Sequence, residues 1–405
     1  MSRFIVYEMR DNLLLILTSL IFTTALSTQG PKFKCELNYK HSTEGVYTVY
    51  DITNGIMHVA SFVGDPTFMI YRTNKSDSLK IHCNESKQIT NVAISSYELL
   101  YGFVIRNLIE FKVQGSGVNF NRQKFDNNTV NLFNTTSLSN LKYNITSLGK
   151  NCDETGKITV SLQQKNISSN YTQMNILFNF QAYSSEGRLM NQPRYAYRGN
   201  NSVIGIVIKD YQYHLTNTSN PASRLALELD FIRNDKSQLF YSSVSNIDDE
   251  YTPAVFLQNT LSLRQGGYYY WKPIAYVAQD RTVETSMMAT YLNGTYTNST
   301  VKLNTTGFYH YLQGNINASL ERAFMLFGTD GDSTLNADYV YFRMELGLGT
   351  PPTDSISLPL IIAIGVGFGL PVLGLLLGVV GMCFFMAYKC CFRKSTRNAR
   401  YVMIN

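Results

Sequence analysis

Cysteine is scarce in this chain. Six occur in 405 residues, and only Cys35, Cys83 and Cys152 precede the apolar run near the C-terminus. Three thiols allow one intrachain bridge at most, so this is not a disulfide-stapled scaffold, and its fold must rest on apolar burial. Cys35 with Cys83 is the preferred pair, and Cys83 with Cys152 is the alternative. Histidine is sparse too: His41, His58, His82, His214 and His310 are scattered, with no pair at metal-ligand spacing on a helix. No HExxH, GxSxG or Walker loop occurs, which removes the commonest zinc, serine-hydrolase and nucleotide-hydrolase mechanisms. No cofactor and no metal is expected. There is no internal repeat, no low-complexity tract and no sustained 3.6-residue period before about residue 355.

Charge is also limited where it would matter. Of the formal +6, five charges belong to Lys389, Arg393, Lys394, Arg397 and Arg400, while Arg3 and Arg10 are offset by Glu8 and Asp11. The remainder is close to neutral, so the basic balance does not argue for nucleic acid. Residues 1–27 combine a charged start, the run Leu13 to Phe22 and the small-residue ending Ala25-Leu26-Ser27, the pattern of a secretory signal peptide. Residues 355–388 contain no charged side chain, and about 20 apolar residues suffice to cross the hydrocarbon of a bilayer. Basic flanks stay cytoplasmic. The expected topology is therefore single-pass type I, with an ectodomain over 28–354, a transmembrane helix over 355–388 and a cytoplasmic tail over 389–405.

The ectodomain carries thirteen Asn-x-Ser/Thr acceptors: Asn74, Asn84, Asn127, Asn134, Asn144, Asn166, Asn170, Asn200, Asn217, Asn293, Asn298, Asn304 and Asn317. Used acceptors mark surface loops exposed to the secretory lumen. A dense glycan coat suits a resident of a hydrolytic compartment. From Thr218 to Leu292 there is none, which reads either as a surface kept clear for a partner or as buried core.

Period-2 alternation dominates what lies between. Met174, Ile176, Phe178, Phe180 and Ala182 alternate with polar residues, as do Leu225, Leu227, Leu229 and Phe231; both read as strands with one buried face. Val203 to Ile208 is nearly continuous and β-branched, as in a strand buried on both sides. A mainly β fold follows, an antiparallel sandwich with the membrane helix appended. Its length favours two packed β units.

Two acidic clusters and one aromatic run could hold chemistry. Asp248-Asp249-Glu250 could pair carboxylates for hydrolysis, and Asp330, Asp332, Asn336 and Asp338 resemble a partial calcium loop. Solvated turns are the plainer reading of both. Tyr268-Tyr269-Tyr270-Trp271 could stack on sugar, although a core strand with one exposed aromatic face is the simpler account.

Asn246-Ile247-Asp248-Asp249-Glu250-Tyr251-Thr252-Pro253-Ala254-Val255-Phe256, then Trp271-Lys272-Pro273-Ile274-Ala275-Tyr276, then Leu346 to Asp354, and finally Tyr401-Val402-Met403-Ile404-Asn405 follow one another in this order. Together they resemble the glycosylated lysosomal membrane protein family, with a fainter likeness over Tyr101–Phe111. The resemblance implies a non-catalytic accessory subunit in the lysosomal membrane. Such a subunit binds a lysosomal major-facilitator transporter, a dipeptide exporter, through its luminal domain and protects it from proteolysis. The candidate partner surface is then Asp248, Asp249, Glu250, Tyr251 and Trp271. At 100° per residue, Gly367, Pro371, Gly374, Gly378 and Gly381 share a stripe that could pack against another helix. Tyr401 and Ile404 form a Tyr-x-x-aliphatic signal that a clathrin-adaptor medium subunit would read as an added strand, and Cys390 and Cys391 are palmitoylation candidates. The competing expectations are a membrane-anchored lysosomal hydrolase using the 248–250 carboxylates and a cell-surface receptor or adhesion ectodomain.

Overall fold

Strands whose side chains alternate between two faces bury one face only if a second sheet covers it. A computed structural model shows this arrangement; it describes residues 33–41, 44–51, 55–73, 79–83, 89–94, 97–112, 133–148, 157–163, 174–183, 185–194, 196–211, 223–233, 239–248, 254–264, 266–293, 319–328, 337–352 and 362–401. Met1–Val244 with Leu257–Thr353 make one compact unit, and Ser245–Phe256 with Asp354–Asn405 make another.

In the first unit two antiparallel sheets face each other. One runs, in spatial order, Phe33–His41, Glu44–Asp51, Ile56–Ser61, Thr67–Thr73, Tyr97–Lys112, Ser223–Arg233, Ser319–Phe327 and Ser286–Asn293. The other runs Lys142–Leu148, Lys157–Gln163, Asn175–Tyr183, Asn201–Lys209, Tyr339–Leu348, Gly267–Trp271 and, paired over its residues 259–262, the end of Ala254–Ser262. Ile274–Tyr276 pairs with a strand of each and joins them at one edge. The length suggests two packed β units; the described strands instead form one sandwich, two broad sheets around one main core.

Aromatic rings fill the space between them. Phe68 of the first sheet meets Phe178 and Phe180 of the second at centroid distances of 5.9 and 6.0 Å. The Asn175–Tyr183 strand alternates buried and half-buried side chains as its sequence suggests. All eleven residues of Ser223–Arg233 are buried, however, so its polar face is not a solvent face.

The Tyr268–Trp271 run is also buried on both faces. Tyr269 and Trp271 belong to the main core, whereas Tyr268 and Tyr270 pack outside with Leu189 and Val203. Tyr269 crosses the sandwich, donating its hydroxyl to the Gly102 carbonyl at 2.6 Å, with the Ile232 carbonyl at 3.2 Å. In return, Tyr101 of the first sheet donates to the carbonyls of Gly347 and Tyr268 in the second. The two rings meet edge to face at 5.1 Å. Gly267 permits this insertion, since a Cβ there would lie 2.6 Å from the Tyr101 ring. Burial holds the hydroxyls of both tyrosines well above the ordinary phenol range, so they remain donors. Tyr269→Phe removes only the hydroxyl and is expected to cost about 1–2 kcal/mol, read as a lower urea midpoint; an unmoved midpoint would show that the brace adds nothing.

What buries the polar face of Ser223–Arg233 is an ion network on the outside of the first sheet. Asn107 pairs with Glu228 and Ile105 with Leu229, so Arg106 is an extra residue, a β-bulge that can turn neighbouring side chains to one side. Arg106 reaches Asp65 and Asp230, each at 3.0 Å. Arg322, on the adjacent strand, reaches Glu228 at 2.9 Å and Asp230 at 3.2 Å, and Asn107 donates to Glu228 at 2.5 Å. Apolar clusters around Val104 and Ile232 on one side and Ile109 and Phe324 on the other flank the group.

The second unit contains the C-terminal helix. A π-helical turn over Gly365–Gly369 leads into a helix over Leu370–Tyr401. Pro371 has no N–H to offer the carbonyl of Gly367, and the π register lets that carbonyl look one residue further on. Ile362–Cys390, 29 residues, is long and apolar enough to cross a membrane.

Candidate partner surface

Of the expected partner residues, Trp271 is the clear correction: it is 0% exposed and cannot present a surface. Its period-2 position on a covered strand directs it into the core. Asp248 ends the Phe240–Asp248 strand, with its side chain outside the described residues. Asp249, Glu250 and Tyr251 lie outside the described residues altogether. Among the described residues no group of three or more metal-ligating side chains gathers. Asp338 is exposed, and its companions Asp330, Asp332 and Asn336 lie outside the described set.

Phe240 (61%), Tyr241 (49%), Val244 (54%) and Leu257 (41%) are exposed apolar side chains on two strands. Alternation places Phe240 and Val244 on one face of their strand and Tyr241 on the other. Tyr241 stacks on Tyr291 with centroids 5.3 Å apart and planes 12° apart, and Trp271 lies 6.4 Å from Tyr241 and 5.5 Å from Tyr291. The buried tryptophan is thus the foundation of an exposed aromatic step. Its indole Nε1 is buried without a hydrogen-bond partner, so the ring contributes only packing. The signal was available: Phe240, Tyr241, Val244 and Leu257 all lie inside the stretch from Thr218 to Leu292 that has no glycan acceptor.

Of the acceptors, Asn293 is exposed at the end of Ser286–Asn293, and Asn200 occupies a turn with φ 64°. Asn134 and Asn144 lie on strands with their side chains outside the described set. Asn74, Asn84, Asn127, Asn166, Asn170, Asn217, Asn298, Asn304 and Asn317 lie outside the described residues. Cys35 and Cys83 are on strands without described side chains, and Cys152 is outside. Cys390 is a free, exposed thiol; the Cys391 side chain is not described. Tyr401 is the last residue of the helix, and Ile404 lies beyond the described residues.

The comparisons agree over both parts of the chain. The family model described as glycosylated lysosomal membrane protein matches residues 48–388. Glycosylated lysosomal membrane protein A of Xenopus laevis is 24% identical over 394 residues, covering 91% of this chain and 94% of that protein. Protein B of the same species is 26% identical over 400 residues, covering 90% and 94%. The Danio rerio relative is 28% identical over 212 residues, about half of each chain. The single C-terminal helix with its basic flank is that of a single-pass type I protein with its N-terminal domain in the lumen. With the match running from the second strand of the sandwich through the membrane helix, the chain belongs to the glycosylated lysosomal membrane protein family.

Proposed function

We propose that this protein is a non-catalytic accessory subunit of the lysosomal membrane, which binds a lysosomal major-facilitator dipeptide transporter through its luminal domain and shields it from luminal proteolysis. The family resemblance supplies the partner, and the exposed Phe240, Tyr241, Val244 and Leu257 group is the observation that supports the mode of binding. Exposed apolar side chains on a strand recruit other chains, and a glycan placed there would block them. Gly374, Gly378 and Gly381 offer a second contact in the membrane, where small residues let helices approach closely. At the tail, Tyr401 and Ile404 would fill the pockets of a clathrin-adaptor medium subunit. Because that mode of recognition is extended, the final helical turn must unwind to be read.

The test is co-purification of the full-length chain with the tagged transporter. Phe240→Ser with Val244→Ser changes only exposed side chains, so stability should move by about 0.5 kcal/mol or less per site. Loss of two side chains that the partner would cover should cut recovery of the complex by about tenfold, and shorten the transporter's lifetime unless lysosomal proteases are inhibited. Undiminished recovery would remove this surface from the interface.

A further inference from the structure

The outer face of the second sheet carries a cleft of about 340 Å³. Its floor follows from register: Asn179, Gly205 and Arg343 lie side by side on adjacent strands, with Gln181 and Val203 in the next row. Gly205 makes the hollow, because a Cβ there would lie 3.3 Å from the Tyr341 hydroxyl and 3.5 Å from Asn179. The segment that pairs Gly187–Arg188 with Ala196–Tyr197 supplies one wall.

Three guanidinium groups, those of Arg188, Arg281 and Arg343, line this cleft, and no carboxylate does. Arg281 lies 3.7 Å over the Tyr341 ring and Arg343 5.4 Å from its centroid. Each is also tied to the wall: Arg281 donates to the Gln192 carbonyl at 3.1 Å, and Arg343 to those of Asn191 at 3.0 Å and Pro193 at 3.3 Å. These bonds, with one from Arg281 to the Tyr339 hydroxyl, fix the cations, yet a guanidinium has five donors, and the Nε of Arg281 is buried with no hydrogen-bond partner. Arg281 holds φ 48°, a left-handed conformation that costs a non-glycine residue about 1–2 kcal/mol. Glu345, on the same face, is engaged by Asn201 and Tyr268 and does not line the cleft. Two cations on one ring in a cleft whose lining holds no carboxylate, one of them strained and with a buried donor unmatched, make a site built for an anion.

We propose that this cleft binds an acidic saccharide unit, a hydroxylated ring carrying a carboxylate or a sulfate. Arg281 and Arg343 receive the anion, whose two coplanar oxygens match a guanidinium fork. The amides of Asn179 and Gln181 exchange hydrogen bonds with ring hydroxyls. Size favours a unit of one or two rings, since 340 Å³ is at the small end of the range of about 300–1,000 Å³ for ligand cavities. A lipid is disfavoured because only Leu189, Met190 and Val203 are aliphatic among the lining residues. A nucleobase is disfavoured because the tyrosines already face other groups: Tyr183 and Tyr197 pack on each other with centroids 3.9 Å apart and planes 32° apart, and Tyr341 faces Arg281.

The experiment uses the full-length chain in detergent, with its own glycans enzymatically desialylated, titrated calorimetrically with sialyllactose, 6′-sulfolactose and lactose. One or both acidic sugars should bind saturably, and lactose at least about tenfold more weakly, the worth of one charge-assisted contact. Which acid binds tells carboxylate from sulfate. Gly205→Val, which fills the hollow, and Arg281→Gln should each weaken the acidic sugar by about tenfold or more at an unchanged melting temperature. If Arg281→Gln does not fold, Arg188→Gln on the wall of the cleft takes its place. The proposal is overturned if neither acidic sugar binds saturably, if lactose binds as well, or if folded Gly205→Val retains full affinity.

Discussion

Arg106→Met is expected to destabilise the luminal domain by about 3–5 kcal/mol, the cost of removing one member of a buried ion group. Arg106 is 11% exposed and its two anionic partners, Asp65 and Asp230, are 2% and 0% exposed. The methionine fills a similar volume but leaves the carboxylates gathered without that guanidinium. Acid should relieve part of the deficit. Burial holds the Glu228 carboxyl above its ordinary value, while the charges of Arg322 and Arg106 and the hydrogen bond from Asn107 pull it down. A carboxyl raised in the folded state takes up its proton before the unfolded one does, so stability is gained as pH falls through the raised value towards 4.5. Losing Arg106 raises Glu228 further, and the gap between variant and parent should therefore be smaller at pH 5 than at pH 7. Urea unfolding at both values measures it. An equal gap would show that Glu228 is not coupled to Arg106, and a gap below about 1 kcal/mol, the range of exposed pairs, would show that the network is solvated.

That network also marks where the sequence stops being legible. The alternation of Leu225, Leu227, Leu229 and Phe231 identifies the strand and its core face, because apolar burial leaves a period. It says nothing of Glu228 and Asp230, which look like a solvent face until a bulge one strand away delivers Arg106. Long-range register decides such pairs, and no local pattern encodes it. The Tyr268–Trp271 run failed in the same way: its residues alternate correctly, but which faces are covered depends on Tyr101 and Leu189, far away in the chain. The partner surface was half legible. The acceptor-free stretch pointed to it, yet the family fingerprint drew attention to Trp271, which lies beneath the exposed step formed by Tyr241. The Arg188, Arg281 and Arg343 cleft had no signal in sequence, since three strands, the segment that carries Arg188 and the connection that carries Arg281 bring it together and Gly205 hollows it.

His58 gives the opposite pH dependence. It is 0% exposed, sits between Val49 and Ile70 of the neighbouring strands, and neither ring nitrogen has a hydrogen-bond partner. Burial lowers its pKa to about 3 from an ordinary 6.5. The unfolded chain therefore binds a proton that the folded chain refuses, and stability is lost as pH falls below 6.5, continuing until about pH 3. Between pH 7 and pH 5 the loss is about 2 kcal/mol, a burden in an acidic lumen that the rise at Glu228 works against. His58→Ile keeps the volume and the β-branched habit of its strand while removing both nitrogens. Its stability at pH 7 should match or exceed that of the parent, and on moving to pH 5 it should gain about 2 kcal/mol relative to the parent. Because Glu228 and every other titrating group are common to the two proteins, this difference reports His58 alone. A parent and variant that lose stability in parallel would mean that His58 takes up a proton within the fold. The apolar slot between Val49 and Ile70 would then have to admit water at the pH where the protein works.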